Sequence, residues 1–132
     1  MILTKHNFKE KVLESEMPSL VLFYADWCFY CEEFSTVFKQ VATDMMDKVL
    51  VGAIECSDDN RSIKRKYNVT LFPSMLLLNN KIPTPVKGRT AKSIEAKVLE
   101  LVDGKTIHRI IPKKTKQNAT LGTKKTRIKK ML

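Results

Sequence analysis

A short stretch around two cysteines constrains the fold of this chain more than any other part of its sequence. Residues 20–25 form an unbroken apolar run, Leu-Val-Leu-Phe-Tyr-Ala, that ends three residues before Cys28. Such a run is typical of a strand covered on both faces of a sheet. After Cys31 the apolar residues follow helical spacing and form one stripe at Phe34, Val37, Phe38, Val41, Ala42 and Met45. The sequence therefore predicts a buried strand that leads through a Cys-x-x-Cys motif into an amphipathic helix.

Strands and helices continue to alternate after this helix. Val49–Ile54 is apolar and reads as a second buried strand. The polar stretch Asn60–Val69 reads as a helix of about two turns, with Asn60 as a candidate N-cap. Apolar residues at helical spacing within 91–102 predict a final amphipathic helix, which we expect to end at Gly104. The alternation indicates an α/β layer fold.

A hairpin is predicted between the polar helix and the final helix. Ser74–Gly88 contains two strand-like runs separated by Asn79 and Asn80, which we expect to form the turn. The second run carries Pro83 and Pro85, and proline cannot donate a ladder hydrogen bond. The last strand is therefore expected at an edge of the sheet.

The two cysteines of the motif are the strongest candidates for chemistry. A thiol attacks only as its thiolate, and a helix N-terminus stabilises that anion through unpaired N–H groups. We expect Cys28, just ahead of the helix, to be the exposed nucleophile and Cys31, one turn further, to be the more buried resolving thiol. The alternatives are two inert core cysteines or half of a zinc site, for which Cys56, His6 and His108 do not stand at ligand spacing. We favour a redox dithiol that needs no metal or other cofactor, and we expect Cys56 to be a small buried core residue, with a third redox thiol as the alternative.

The motif and several other stretches resemble the thioredoxin superfamily, and protein disulfide isomerase domains in particular. The resemblance covers about residues 2–104 and rests on "LTKHNF", "VLFYADWCFYC", "IEC", "KYNVTLFPS" and Gly88 before the last helix. It implies a thioredoxin fold, in which a central mixed sheet is flanked by helices. It also implies a disulfide oxidoreductase that exchanges disulfides with protein substrates through a mixed disulfide.

The resemblance extends to individual residues around the dithiol. It implies that Pro73 is a cis-proline facing the two sulfurs, and that Phe72 pairs its backbone with the bound substrate chain. The alternative for Pro73 is an ordinary trans turn proline. Trp27, Phe29 and Tyr30 complete the candidate substrate-binding residues, although Phe29 and Tyr30 also fit the description of loop residues without a selected role.

The chain departs from the family where a proton relay is usual. Leu22 occupies the place of a buried carboxylate, and Ala53 or Ile54, depending on the strand register, occupies the place of its lysine partner. Thr36 stands where the family has a helix-kinking proline, so we expect a straighter helix. The missing charges motivate a second hypothesis, a non-enzymatic thioredoxin-fold binding module that presents Phe29, Tyr30 and Phe72 to a partner.

Charge divides the chain into two parts. Residues 1–104 hold 14 basic and 14 acidic residues, whereas residues 105–132 hold 10 basic residues and no acidic one. We therefore predict a thioredoxin-like domain at 1–104 and a basic, disordered tail at 105–132. The tail is expected either to be merely solvated or to attract nucleic acid, an acidic partner or an anionic membrane.

The N-terminus lacks the apolar segment of a signal peptide, and no apolar run is long enough to span a membrane. We accordingly expect a soluble, monomeric, cytoplasmic protein. The nucleus, or the virion if the chain is viral, are the alternative locations.

Overall fold

A computed structural model describes residues 1–110 of the chain, with side chains as far as Asp103. Its centre is a five-stranded mixed sheet. The strands are β1 (Ile2–Leu3), β2 (Ser19–Tyr24), β3 (Leu50–Glu55), β4 (Ser74–Asn79) and β5 (Ile82–Val86). They lie in the order β1-β3-β2-β4-β5, with β1, β2 and β3 mutually parallel and β4 and β5 antiparallel to their neighbours. The predicted α/β fold with a central mixed sheet is confirmed.

Within residues 1–110, three α-helices and one π-helical turn surround the sheet. They are α1 (Phe29–Asp44), α2 (Arg61–Lys66), α3 (Ala91–Ile110) and the π-helical turn Lys9–Leu13. The prediction that Gly104 ends the last helix is wrong, because α3 continues to Ile110. A glycine inside a helix costs only about 1 kcal/mol relative to alanine, so it does not have to end one. No helix in the described part of the chain is both long and apolar enough to cross a membrane. Most of the predicted tail, residues 111–132, lies outside the described residues.

Strand β2 is buried on both faces, as its unbroken apolar run predicts. On one face Phe23 packs near Tyr67, with 6.3 Å between ring centroids, and Tyr67 in turn lies 5.6 Å from the ring of Phe8. On the other face Leu22 lines a cleft together with Phe38 of α1. The core therefore lies on both sides of the sheet, and β2 runs through its middle.

The hairpin forms where the sequence predicts it, but its turn lies one residue later. Asn79 pairs with Ile82, so the two turn residues are Asn80 and Lys81, with φ values of 54° and 68°. A two-residue turn of this kind needs positive φ at both positions, and asparagine tolerates that conformation well. Strand β5, which carries both prolines, lies at an edge of the sheet as predicted.

The topology brings three chain segments to one end of the sheet. Because β2 and β3 are parallel, both end there, and β4 begins there because it runs antiparallel to β2. The loop after β2 leads to Cys28, the first turn of α1 carries Cys31, and the loop before β4 carries Pro73. Asn60 occupies the predicted N-cap position of α2 but makes no capping bond. Its side chain instead joins the N–H of Lys5 at 2.7 Å to the carbonyl of Glu55 at 2.8 Å.

Candidate active site

Cys28 and Cys31 lie at the start of α1. Cys28 is the N-cap residue, with an extended backbone, and its Sγ accepts the backbone N–H of Cys31 at 3.2 Å. The same Sγ donates to the backbone carbonyl of Phe72 at 3.8 Å. Both cysteines are free thiols in the structure. The sulfur of Cys28 therefore receives one of the N–H groups that a helix leaves unpaired at its N-terminus.

Both thiols are buried, which corrects the expectation that Cys28 is exposed. Cys28 is 8% exposed and Cys31 5%, because they form a small cluster with Ala25 against which Tyr24 and Phe72 pack. Burial raises the pKa of the Cys31 thiol to about 12, and its hydrogen bond with Cys28 acts in the same direction. Cys31 is therefore a protonated thiol at neutral pH.

The pairing of β2 with β3 shows which residue lies beside Leu22, where the family usually has a proton relay. Leu22 pairs with Ala53 across β2 and β3, whereas Ile54 belongs to the core on the opposite face of the sheet. Ala53 therefore occupies the place where the family usually has the lysine partner of the buried carboxylate. Leu22, Ala53 and Cys31 all line a cleft of about 450 Å³. The charged side chains that line the cleft, Asp26, Glu32 and Lys39, are exposed, so no buried charge stands beside Leu22 among the described residues.

The peptide bond between Phe72 and Pro73 is cis, as predicted. The ring of Phe72 meets that of Trp27 edge to face, with 5.9 Å between centroids, and Phe29 and Tyr30 make a similar pair at 5.9 Å. Trp27, Phe29 and Tyr30 are 73%, 64% and 71% exposed. All five predicted substrate-binding residues thus lie beside the dithiol or within its motif, and their contact with a substrate stays a prediction.

A groove of about 870 Å³ runs beside the motif. Its walls come from the start of α1, the cis-proline loop (residues 70–73) and the loop after β5 (residues 87–90). Its apolar lining includes Tyr30, Leu71 and Pro73. The groove is therefore a largely apolar surface that reaches Tyr30 of the motif and Pro73, whereas both thiols line the other cleft.

Glu55 is a positioning residue that the sequence analysis did not single out. At the end of β3 its Oε2 accepts the backbone N–H of Asp26 at 2.7 Å, and its carboxylate also accepts the N–H and hydroxyl of Ser57. Burial raises the pKa of Glu55, but the hydrogen bonds from Ser57 and Asp26 outweigh burial and lower the pKa below its ordinary value. The ionised carboxylate thus holds the loop that leads into Cys28. No sequence signal marks this contact, because Glu55 and Asp26 are 29 residues apart.

Replacing Glu55 with leucine is expected to lower the free energy of unfolding by about 1–3 kcal/mol, because the N–H groups of Asp26 and Ser57 lose a charged acceptor. Urea denaturation of the reduced protein measures this change, and amide hydrogen exchange at Asp26 should become faster. Glu16→Leu is the matched control, because Glu16 is exposed and should shift stability by no more than about 0.5 kcal/mol. Equal stability and equal Asp26 exchange in the two variants would contradict the positioning role.

Cys56 lies in the core, as predicted for a small buried residue. It is 1% exposed, its Sγ donates to the carbonyl of Ile54 at 3.7 Å, and burial raises its pKa to about 11. Within residues 1–103, no group of three or more histidine, cysteine, aspartate or glutamate side chains is arranged to hold a metal ion.

Several known proteins are similar to this chain in sequence. The thioredoxin family model matches residues 1–100. The chain is 35% identical over 104 residues to "Protein disulfide-isomerase like 2-2" of Arabidopsis thaliana, covering 76% of this chain and 23% of that protein. It is also 35% identical over 95 residues to human "Protein disulfide-isomerase A6", covering 70% of this chain and 21% of that protein. The chain therefore spans less than a quarter of the length of these relatives.

Among solved structures, the Trx4 domain of ERdj5 is similar over nearly its whole length. The match covers 79% of this chain and 96% of that domain, with a TM-score of 0.74 and 28% sequence identity. The fold of this chain is thus shared with that domain.

Proposed function

The chain belongs to the thioredoxin family, and on that basis we propose that it is a thiol–disulfide oxidoreductase whose active dithiol is Cys28 and Cys31. The observation that carries the proposal is the 3.2 Å contact from the Cys31 N–H to the Cys28 Sγ at the helix N-cap. This contact favours Cys28 as the attacking sulfur, since an anion at that atom would face the helix N-terminus. The raised pKa of Cys31 supports its role as the resolving thiol.

In the proposed reaction the protein dithiol reduces a substrate disulfide. The Cys28 thiolate attacks one substrate sulfur, a Cys28–substrate mixed disulfide forms, and the other substrate sulfur leaves as a thiolate. Cys31 then loses its proton and attacks Cys28, which releases the second substrate thiol and closes the Cys28–Cys31 disulfide. Two electrons and two protons pass from the dithiol to the substrate, and the reverse sequence oxidises a substrate dithiol.

We propose protein thiols and disulfides as the substrates. The exposed side chains of Trp27, Phe29 and Tyr30 surround the dithiol with an aromatic surface that suits a polypeptide chain better than a small polar molecule. The open groove lined by Tyr30 and Pro73 offers room for an extended segment beside the sulfurs. Phe72 is proposed to contact that segment through its backbone.

A redox titration tests this function directly. The full chain is equilibrated with glutathione at graded ratios of reduced to oxidised form, its free thiols are alkylated, and the mass of the Cys28–Cys31 peptide is measured. We expect one two-electron transition of this pair, with Cys56 alkylated only after unfolding. The same protein should catalyse reduction of insulin by dithiothreitol. A pair that forms no disulfide at any ratio would contradict the proposal.

A non-enzymatic binding module is the second candidate. The specific observation in its favour is the uncharged pair Leu22 and Ala53, at positions where the family usually carries a proton relay. A module of this kind would bind unfolded protein through its aromatic surface equally well in the wild type and in a Cys28→Ser/Cys31→Ser variant. It would not accelerate insulin reduction, so the same assay separates the two candidates.

A further inference from the structure

The charge of the described domain is strongly uneven along the sequence. Residues 60–94 hold eight basic residues and no acidic one, whereas residues 1–59 hold five basic and eleven acidic residues. The eight basic residues are Arg61, Lys64, Arg65, Lys66, Lys81, Lys87, Arg89 and Lys92. This basic segment builds α2, the cis-proline loop, the hairpin and the loop after β5. It therefore supplies most of the groove wall that faces α1.

Three of these cations lie close to Phe72 or line the groove beside the motif. The Nζ of Lys64 lies 5.9 Å from the centroid of the Phe72 ring, and the Phe72 carbonyl accepts the Cys28 thiol. Lys87 and Arg89 line the groove, and both are exposed. One acidic residue, Glu33 on α1, also lines the groove. The balance of charge along the groove is therefore positive.

These cations do not serve the fold as ion pairs. Among the residues with described side chains the ion pairs are Lys9 with Glu14 and Lys97 with Glu100, and neither involves the basic segment. Cations without an acidic partner therefore lie near exposed apolar side chains such as Leu71. Such a surface favours a ligand that has both carboxylate groups and an apolar side chain.

We propose that the groove selects substrate polypeptides that carry acidic residues close to the reacting cysteine. This inference rests on the proposed disulfide exchange and names the class of substrate it acts on. The carboxylates would lie along Lys87 and Arg89 while the substrate sulfur reaches Cys28. Attraction of this kind acts mainly on the rate of encounter and weakens as salt increases.

Matched peptides test the proposal with the full-length protein. Three peptides of equal length carry the same cysteine, joined by a disulfide to thionitrobenzoate, and are flanked by glutamate, serine or lysine. Reduced protein is mixed with each peptide, and release of the coloured thiol gives the second-order rate constant. We expect the acidic peptide to react about tenfold faster than the basic one at low ionic strength. The ratio should approach one in about 1 M salt, where the Debye length is about 3 Å.

Two pairs of substitutions locate the effect. Lys87→Gln/Arg89→Gln should reduce the ratio of acidic to serine peptide rates at least about threefold. Lys48→Gln/Lys81→Gln removes the same charge at the opposite end of the sheet and should leave that ratio unchanged. The ten basic residues of 105–132 are present in every variant, so they cannot produce a difference between the two pairs.

The outcomes separate this inference from the proposed function. Equal rates on all three peptides, with normal turnover of the neutral hydroxyethyl disulfide, would overturn the acidic preference while the oxidoreductase activity stands. Absence of turnover with every disulfide would instead overturn the proposed function. Competitive inhibition by a single-stranded oligonucleotide that is lost in Lys87→Gln/Arg89→Gln would assign the groove to nucleic acid and would also overturn the inference.

Discussion

Cys28→Ser is expected to abolish disulfide reduction by this protein, with a loss of rate on the order of 10³-fold or more. Serine retains the shape of the N-cap but offers no thiolate to attack a disulfide. Cys31→Ser is expected to keep the first attack and to stop at the mixed disulfide, because no thiol then follows Cys28 in the first turn of α1. The insulin reduction assay measures the first effect, and mass spectrometry of protein incubated with a disulfide substrate measures the second.

Cys56→Ala is the control for this pair of variants. Cys56 is buried in the core on the far side of the sheet from the cleft beneath the dithiol, so its loss should leave turnover unchanged and cost only stability. Wild-type turnover by Cys28→Ser would rule out the proposed mechanism. Mixed disulfides trapped through Cys31 in the Cys28→Ser variant would reverse the assigned roles.

The resolving step is expected to depend steeply on pH. Because burial raises the pKa of Cys31 far above neutrality, only a very small fraction of the molecules carries the Cys31 thiolate at pH 7. Its thiolate fraction, and with it the rate of mixed disulfide resolution, should rise about tenfold per pH unit from neutrality toward that pKa. Single-turnover decay of a preformed Cys28 mixed disulfide between pH 6 and 10 measures this slope.

Leu22→Asp is expected to flatten the pH profile and to raise the rate at neutral pH by about 10- to 100-fold. The new carboxylate would share the cleft beneath the dithiol with Cys31 and could accept its proton. The substitution should also lower the free energy of unfolding by several kcal/mol, because Leu22 is only 5% exposed and a charge there must be desolvated.

Leu22→Asn provides the matched control, since it loses the same packing without gaining a base. It should be destabilised but should keep the steep pH dependence of the wild type. A folded Leu22→Asp protein with the wild-type profile would show that the absence of a relay does not limit the exchange.

The features that the sequence predicts correctly are those with a local pattern. Periodicity alone indicates the buried strand β2 and the amphipathic helix α1. The chemistry of proline alone indicates that β5 is an edge strand. Strand β1 has only two residues and therefore no period to detect. The burial of Cys28 depends on Phe72, which is 44 residues away and reaches the thiol only after the sheet has formed.

Two features of the site depend on the register between β2 and β3, which the sequence does not reveal. Ala53 and Ile54 are equally apolar neighbours, and only their pairing shows which one stands beside Leu22. The role of Glu55 likewise depends on its being opposite Tyr24 in the sheet, where its carboxylate reaches the start of the next loop. Such contacts are tertiary, so single-sequence patterns do not carry them.

The two prolines of β5 have a consequence for how this sheet meets foreign polypeptide chains. An edge strand normally presents free N–H and C=O groups on which a foreign strand can add and begin an aggregate. Pro83 and Pro85 alternate along β5 and lack the N–H that such addition requires, and the opposite edge, β1, is only two residues long. Both edges of this sheet therefore give a foreign strand little on which to add, so the fold is protected against strand-by-strand aggregation through its own edges.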